Sequence, residues 1–253
     1  MILASRETTL NLDRLNMFWK TARIKVWFLI AFFVLGVVLG IFLVAFALEP
    51  KSVIKSLVFS NITDHQITIS WVTEKETKGV VVVSQGKLPV WPIFVKNYSK
   101  DDGEKSLKKV GRYITHHVTI TNLNPDNKYK FKIFQGLKTA FNGEFRTFKT
   151  LDSLDGPNPI YGRVLSKDKR PVIGAIIYLQ AKTASQSSSL ISSQTNLTGR
   201  WSLDLANLRT SNLDEGFDLK SNTLEIVIVE TGKGKVKAET KQGQDKPWPD
   251  III

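Results

Sequence analysis

The chain reads as all-β: two tandem antiparallel β-sandwiches preceded by one transmembrane α-helix. Three observations predict this. Trp27 to Leu48 is a run of 22 residues without a charge. Beyond Pro50 the apolar pattern changes to period two, and short strand-like runs alternate with turn residues. A Pro/Gly/Asp-rich stretch at 151–159 breaks those runs near their middle. The expected organisation is a cytoplasmic segment 1–26, a membrane span 27–48, a sandwich at 52–150, a linker at 151–159 and a second sandwich at 160–253.

Composition narrows the function classes. The 253 residues carry 35 Lys+Arg against 23 Asp+Glu, a formal charge of +12, with 42% hydrophobic and 23% charged residues. Those fractions are ordinary for folded protein. There is no cysteine, which excludes disulfides, thiolate metal sites and a cysteine nucleophile. Three histidines leave little room for a multi-histidine metal centre, and no cofactor is expected.

As a helix the apolar run would be about 33 Å long, close to the hydrocarbon thickness of a bilayer. Arg14, Lys20, Arg23 and Lys25 precede it with Asp13 nearby. The positive-inside rule therefore puts the N-terminus in the cytoplasm and the β-rich part outside. The rival is a cleaved signal peptide, since Ala45-Phe46-Ala47 has the form of a cleavage site, although the apolar run is longer than such peptides use. Gly36 and Gly40 form a small-xxx-small pair that permits close helix approach. Leu12, Leu15 and Trp19 recur at helical spacing beside Arg14 and Arg23, either as an interfacial helix or as a continuation of the span. Twenty-six residues are too few for a catalytic domain, so function is expected outside.

In the first β-rich part Ile67, Ile69 and Trp71 alternate with polar neighbours, and Val80–Val83 is a continuous β-branched run. Tyr113–Thr121 alternates again. Tyr129, Phe131 and Ile133 share one face opposite Lys130 and Lys132, and Phe141–Thr150 supplies a last strand. His117–Ile133 (HVTITNLNPDNKYKFKI) resembles the corner between strands E and F of fibronectin type III domains through Leu123, Pro125 and Tyr129, and Trp71 matches that family's strand B tryptophan. With His117 and the closing Phe145–Thr150, the stretch is similar to the fibronectin-type domain that precedes purple acid phosphatase catalytic domains. The resemblance implies a scaffold and not phosphatase activity, because the metal-ligating segments of those enzymes are absent from this sequence. It also implies that the Tyr129 hydroxyl bonds back to the corner.

The insertion Gly86–Arg112 departs from a minimal sandwich. It holds Trp91, Phe94 and Tyr98, the mixed run Lys100–Lys105, then Lys108 and Lys109. Rings beside lysines on a loop suit sugars or anionic polymers, so Trp91, Tyr98, Lys108 and Lys109 are the candidate ligand contacts. The competing reading packs Trp91 and Phe94 under the loop and leaves the charges solvated.

In the second part Ile160, Gly162 and Val164 alternate along a strand. A charged turn leads to Pro171 and then to Gly174-Ala175-Ile176-Ile177. Thr195–Leu203 reads as strand end, turn and strand, with further strands at Leu224–Val229 and Ile251–Ile253. This order resembles the carboxypeptidase regulatory-like, transthyretin-type sandwich. Asn196 stands where that family often has Asp, which argues against calcium in this turn. Ser185–Ser193 is a flexible loop by composition. Three Asn-x-Ser/Thr triplets, at Asn61, Asn97 and Asn196, occur as readily by chance.

A nucleophile–His–acid site must use His65, His116 or His117. His116 shares the face of Val118 and Ile120 and reads as a strand residue. His117 lies on the opposite face and matches a structural position of the resembling family. No nucleophile elbow, zinc-protease or phosphate-loop motif is present in the sequence, and no enzyme is expected. Outside the span and its leader, 30 Lys+Arg face 21 Asp+Glu, a charge of +9. Such a surface is drawn to anionic lipid, wall polymer or acidic polysaccharide, or else its lysines serve solubility. Nucleic acid is not expected outside the cell. The reading is a prokaryotic, membrane-anchored, non-enzymatic binding or adhesion protein of the cell envelope. The alternatives are a subunit of an envelope or secretion assembly, or an accessory to a separate hydrolase.

Overall fold

The computed structural model describes residues 25–44, 52–90, 98–106, 111–136, 138–151, 156–219 and 223–253. Among the described residues one helix, α1 (Lys25–Val44), is long and apolar enough to cross a membrane. Trp27, Phe28, Phe32 and Phe33 are each at least 70% exposed. No polar face runs along the helix. It begins two residues before the expected span, whose last four residues lie outside the described ones.

The compact unit Glu49–Ile253 is all-β and built from four sheets. Strands β1 (Ile54–Ser60), β2 (Ile67–Thr77) and β5 (Tyr113–Ile120) form one sheet in the order β1-β2-β5. Strands β3 (Gly79–Ser84), β4 (Ser99–Lys100), β6 (Lys128–Gln135) and β7 (Lys138–Arg146) form its partner in the order β4-β3-β6-β7, and a four-residue helix α2 (Gly103–Ser106) follows β4. Every pairing here is antiparallel. The two sheets close over Ile67, Ile69, Trp71, Val81, Val118, Ile120, Phe131 and Ile133. Burying each of these large side chains contributes about 1.5–3 kcal/mol. The corner behaves as the resemblance implies: the Asn124 amide donates to the Tyr129 hydroxyl at 2.8 Å.

The second pair of sheets uses β8 (Pro159–Leu165), β9 (Ile176–Lys182), β10 (Ile191–Gln194), β11 (Arg200–Asp204), β12 (Leu224–Thr231), β13 (Gly234–Lys241) and β14 (Ile251–Ile252). The orders are β10-β9-β12-β13 and β11-β8-β14. Strand β14 runs parallel to β8, while the other pairs are antiparallel. Ile177, Leu179, Trp201, Val227, Val229 and Trp248 are central to the core between them. The turn into β11 needs glycine: Gly199 has φ +72°, and a Cβ there would come 2.6 Å from the Val164 carbonyl.

Sheets β1-β2-β5 and β10-β9-β12-β13 meet through their outer faces. In β2 every residue from Ile67 to Thr73 is buried, so the polar alternates Thr68 and Ser70 are covered as fully as the core residues. Tyr178 of the second pair of sheets meets Ser70, and Thr68 bonds Asn61 and Thr119, while Ser192 and Glu230 meet Ser60 and Ser56 of β1. The result is a stack of four sheets with two apolar cores and a polar seam between them.

Candidate functional site

Of the candidate ligand contacts, Tyr98 is described: it is 45% exposed, with the Lys100 ammonium 5.9 Å from its ring centroid. Trp91, Lys108 and Lys109 lie outside the described residues. The charge run in this insertion is not simply solvated. Asp101 is 1% exposed, and its carboxylate faces His116 Nδ1 at 2.8 Å and caps the short helix by accepting from the Gly103 amide at 3.0 Å. His116 is fully buried, with Nε2 3.0 Å from the Thr77 hydroxyl and its ring stacked on Trp71 at 4.6 Å between centroids. This is the strand residue expected from its face.

His117 points the other way, into the seam. Its Nδ1 lies 2.9 Å from Asp102 Oδ2, and its Nε2 lies 2.9 Å from Ser192 Oγ on β10. Asp102 Oδ2 also accepts from the amide and hydroxyl of Thr119, at 3.0 and 2.6 Å. In a neutral ring, the acceptor-only carboxylate on Nδ1 places the proton there and leaves Nε2 to accept from the Ser192 hydroxyl. The connectivity Ser192–His117–Asp102 is that of an acyl-transfer triad. Its surroundings are not. Ser192 and His117 are each 5% exposed, and the Ser192 oxygen is shared with the Ser60 hydroxyl at 2.6 Å and the Asn61 amide at 3.3 Å. With Ser192 and His117 buried, the three groups act as a clasp between the sandwiches.

The same seam holds further pairs. Ser70 and Tyr178 hydroxyls are 2.8 Å apart, the Ser56 hydroxyl donates to Glu230 at 2.6 Å, and the Thr115 hydroxyl donates to the Gly174 carbonyl at 2.6 Å. Burial pushes the Tyr178 phenol far above its usual range, with Glu230 adding to the shift, so it stays neutral. None of these pairs was visible in the sequence. Two adjacent aspartates fifteen residues before two adjacent histidines were the available signal.

At one edge of the seam the sandwiches part to leave a cleft of about 850 Å³. Ile114, Val172, Ile173, Leu197, Val236 and Ile253 give it an apolar lining, with Ile173 and Leu197 half exposed. Arg112, Lys233, Lys235 and Glu76 also line it, with the Lys235 ammonium 3.2 Å from the Glu230 carboxylate. The size and the apolar lining with a few charged groups are those of ligand pockets, which favour domain junctions. Among the described residues no group of three or more His, Asp or Glu side chains is placed to hold a metal ion.

No curated protein matches the chain. Among solved structures, the FN1–FN3 domains of chicken CNTN1 align with 76% of this chain and 67% of theirs, at 12% identity and a TM-score of 0.26. The two-domain fibronectin type III segment of chicken tenascin aligns with 75% and 99%, at 11% identity and 0.24. BcpA, the major pilin subunit of Bacillus cereus, aligns with 80% and 68%, at 11% identity and 0.22. Residues 52–150 match the family model of the purple acid phosphatase N-terminal domain, and this part of the chain is a fibronectin type III-like domain.

Proposed function

We propose that the chain is a membrane-anchored, extracytoplasmic binding protein of a prokaryotic cell envelope, without enzymatic activity of its own. Helix α1 is the anchor, residues 1–26 are cytoplasmic, and the second sandwich is of the carboxypeptidase regulatory-like type. The observation that carries the binding role is the cleft between the sandwiches, which joins an apolar lining to a basic rim. The polar seam supports it, because it makes two sandwiches one body and so holds the walls of the cleft at a set distance. The +9 charge of the β-rich part favours anionic envelope polymer or an acidic envelope protein as partner. The fibronectin-like domain acts as scaffold in this reading.

The test uses the full chain in liposomes, floated with and without purified anionic wall polymer over a salt series. Expected is co-flotation of polymer that fades with rising salt and drops when Lys233 and Lys235 are changed to Glu. Absence of polymer at every salt concentration would contradict polymer binding and leave a protein partner of the envelope as the reading to test.

A further inference from the structure

We infer that the outer face of sheet β11-β8-β14, where it borders β10, carries a second binding site, remote in sequence from the 86–112 insertion, that takes an acidic saccharide. The strands dictate what that face presents. Alternation along β8 and β11 turns Ile160, Gly162, Trp201 and Leu203 inward and leaves Tyr161, Arg163, Arg200 and Ser202 outside. Register places Arg163 directly opposite Arg200 and Tyr161 opposite Ser202. Pro247 and Asp250 flank these strands, and the groove so formed encloses about 640 Å³.

Two guanidinium groups across a strand pair repel one another, and only one is offset. Arg163 is held by Asp250 in a two-pronged pair, Nε to Oδ1 at 3.0 Å and Nη2 to Oδ2 at 2.7 Å. The Arg200 guanidinium has no hydrogen bond or ion pair among the described residues, so one positive charge in the groove is left for a ligand. Tyr161 is 50% exposed and offers a ring beside that charge. Asn196 spends its carbonyl oxygen on the Thr198 amide, the Thr198 hydroxyl and the Arg200 amide, at 2.9, 2.8 and 3.1 Å, which leaves its NH2 to donate.

The groove runs between two sheet edges: β11 and β10 are edge strands, and Ser193 and Gln194 of β10 line it with Arg200 and Ser202 of β11. A sugar lays an aliphatic ring face on a phenol, and in its acidic forms brings a carboxylate for a guanidinium. An added peptide strand is the other occupant such an edge takes, and the aspartate tetrapeptide in the test below distinguishes it. The site needs the outward orientation of the proposed function for access to glycan, but not the cleft.

The full chain in lipid nanodiscs, titrated calorimetrically with tetragalacturonate and with neutral galactotetraose, tests the site. The acidic sugar is expected to bind at least tenfold more tightly than the neutral one. Tyr161→Ala and Arg200→Ala should each weaken it tenfold or more, with Arg200→Lys recovering part of the loss. Lys237→Ala, on the exposed edge strand β13, should change nothing. The inference is overturned by no saturable binding, by an equal loss in Lys237→Ala, or by an aspartate tetrapeptide binding as tightly. If polymer still co-floats with the proteoliposomes in any of those cases, this site alone falls and the proposed function stands. Should Tyr161→Ala fail to fold, the exposed Arg200 variants decide the outcome.

Discussion

His117 Nε2 and Ser192 Oγ meet at 2.9 Å across the junction of two sandwiches, 75 residues apart in the chain. The bond lies in a place where water cannot substitute for either partner, so both depend on it. Ser192→Ala would leave His117 Nε2 without its donor and Ser60 without its neighbour. A loss of about 1–3 kcal/mol is expected in denaturant unfolding of the full chain in detergent, against a smaller change for a surface serine such as Ser202. Because the serine is enclosed, a fluorophosphonate probe should not label the wild-type chain. Labelling abolished by Ser192→Ala would show that the triad is open to substrate.

The junction is also packed closely. A Cβ on Gly232, in the turn between β12 and β13, would stand 2.5 Å from Cγ2 of Ile114 on β5. Gly232→Ala should cost about 1–3 kcal/mol through overpacking. Ile114→Ala in the same chain should recover most of that loss, because it removes the atom in the way. The double-mutant cycle in unfolding free energy measures this coupling; additive losses would mean that the two residues do not meet.

Within the first sandwich, Gly79 lies beneath the Trp71–His116 stack. A Cβ there would come 2.5 Å from Trp71 Cζ2 and 2.6 Å from His116 Nδ1, and neither ring has room to retreat inside a filled core. Gly79→Ala is expected to destabilise by about 2–4 kcal/mol. Unfolding and the near-ultraviolet circular dichroism of Trp71 would report it together.

Glu225 makes stability depend on pH. It is fully buried, with Trp248 Nε1 donating to it at 2.9 Å. Burial raises its carboxyl from 4.5 to about 7, helped by the neighbouring Asp245 and opposed by the Trp248 bond and Lys246. The folded chain therefore keeps a proton that the unfolded chain loses above its ordinary value. Stability should fall as pH rises from about 4.5 to about 7, and this contribution should level off above that. Glu225→Gln removes the ionisation and should flatten that part of the profile, with its largest gain in stability above pH 7. A profile unchanged by the substitution would contradict the assignment.

Period-two alternation made the strands of the first sandwich legible from Ile67 onward, and the Leu123-Pro125-Tyr129 corner carried its fold. Strand β1 was not, because its own Ser56 and Ser60 meet Glu230 and Ser192 in a polar seam that sequence patterning reads as solvent. Strand β13 was hidden in the same way: Val236 and Ala238 are its two inward apolar residues, and lysines alternate with them. The seam follows from tertiary packing of two outer faces, which no local period records. The aspartates of the insertion looked like loop charges since nothing in Lys100–Lys105 says that β5 lies behind them. The candidate contacts in that insertion gave Tyr98 a described, exposed position, while the cleft and the groove came from strand ends and turns.

We propose that the β-rich body lies outside the membrane with helix α1 as its tether. The chain has no cysteine, so a single introduced cysteine is a unique reporter. Asp168→Cys, in an exposed turn, and Ser5→Cys, before the span, would each be treated in intact cells with a membrane-impermeant maleimide. Expected are labelling at position 168 without permeabilisation, labelling at position 5 only after it, and retention of the full-length chain in carbonate-washed membranes. Labelling at 168 only after lysis, or release of a shortened chain from the membrane, would contradict it.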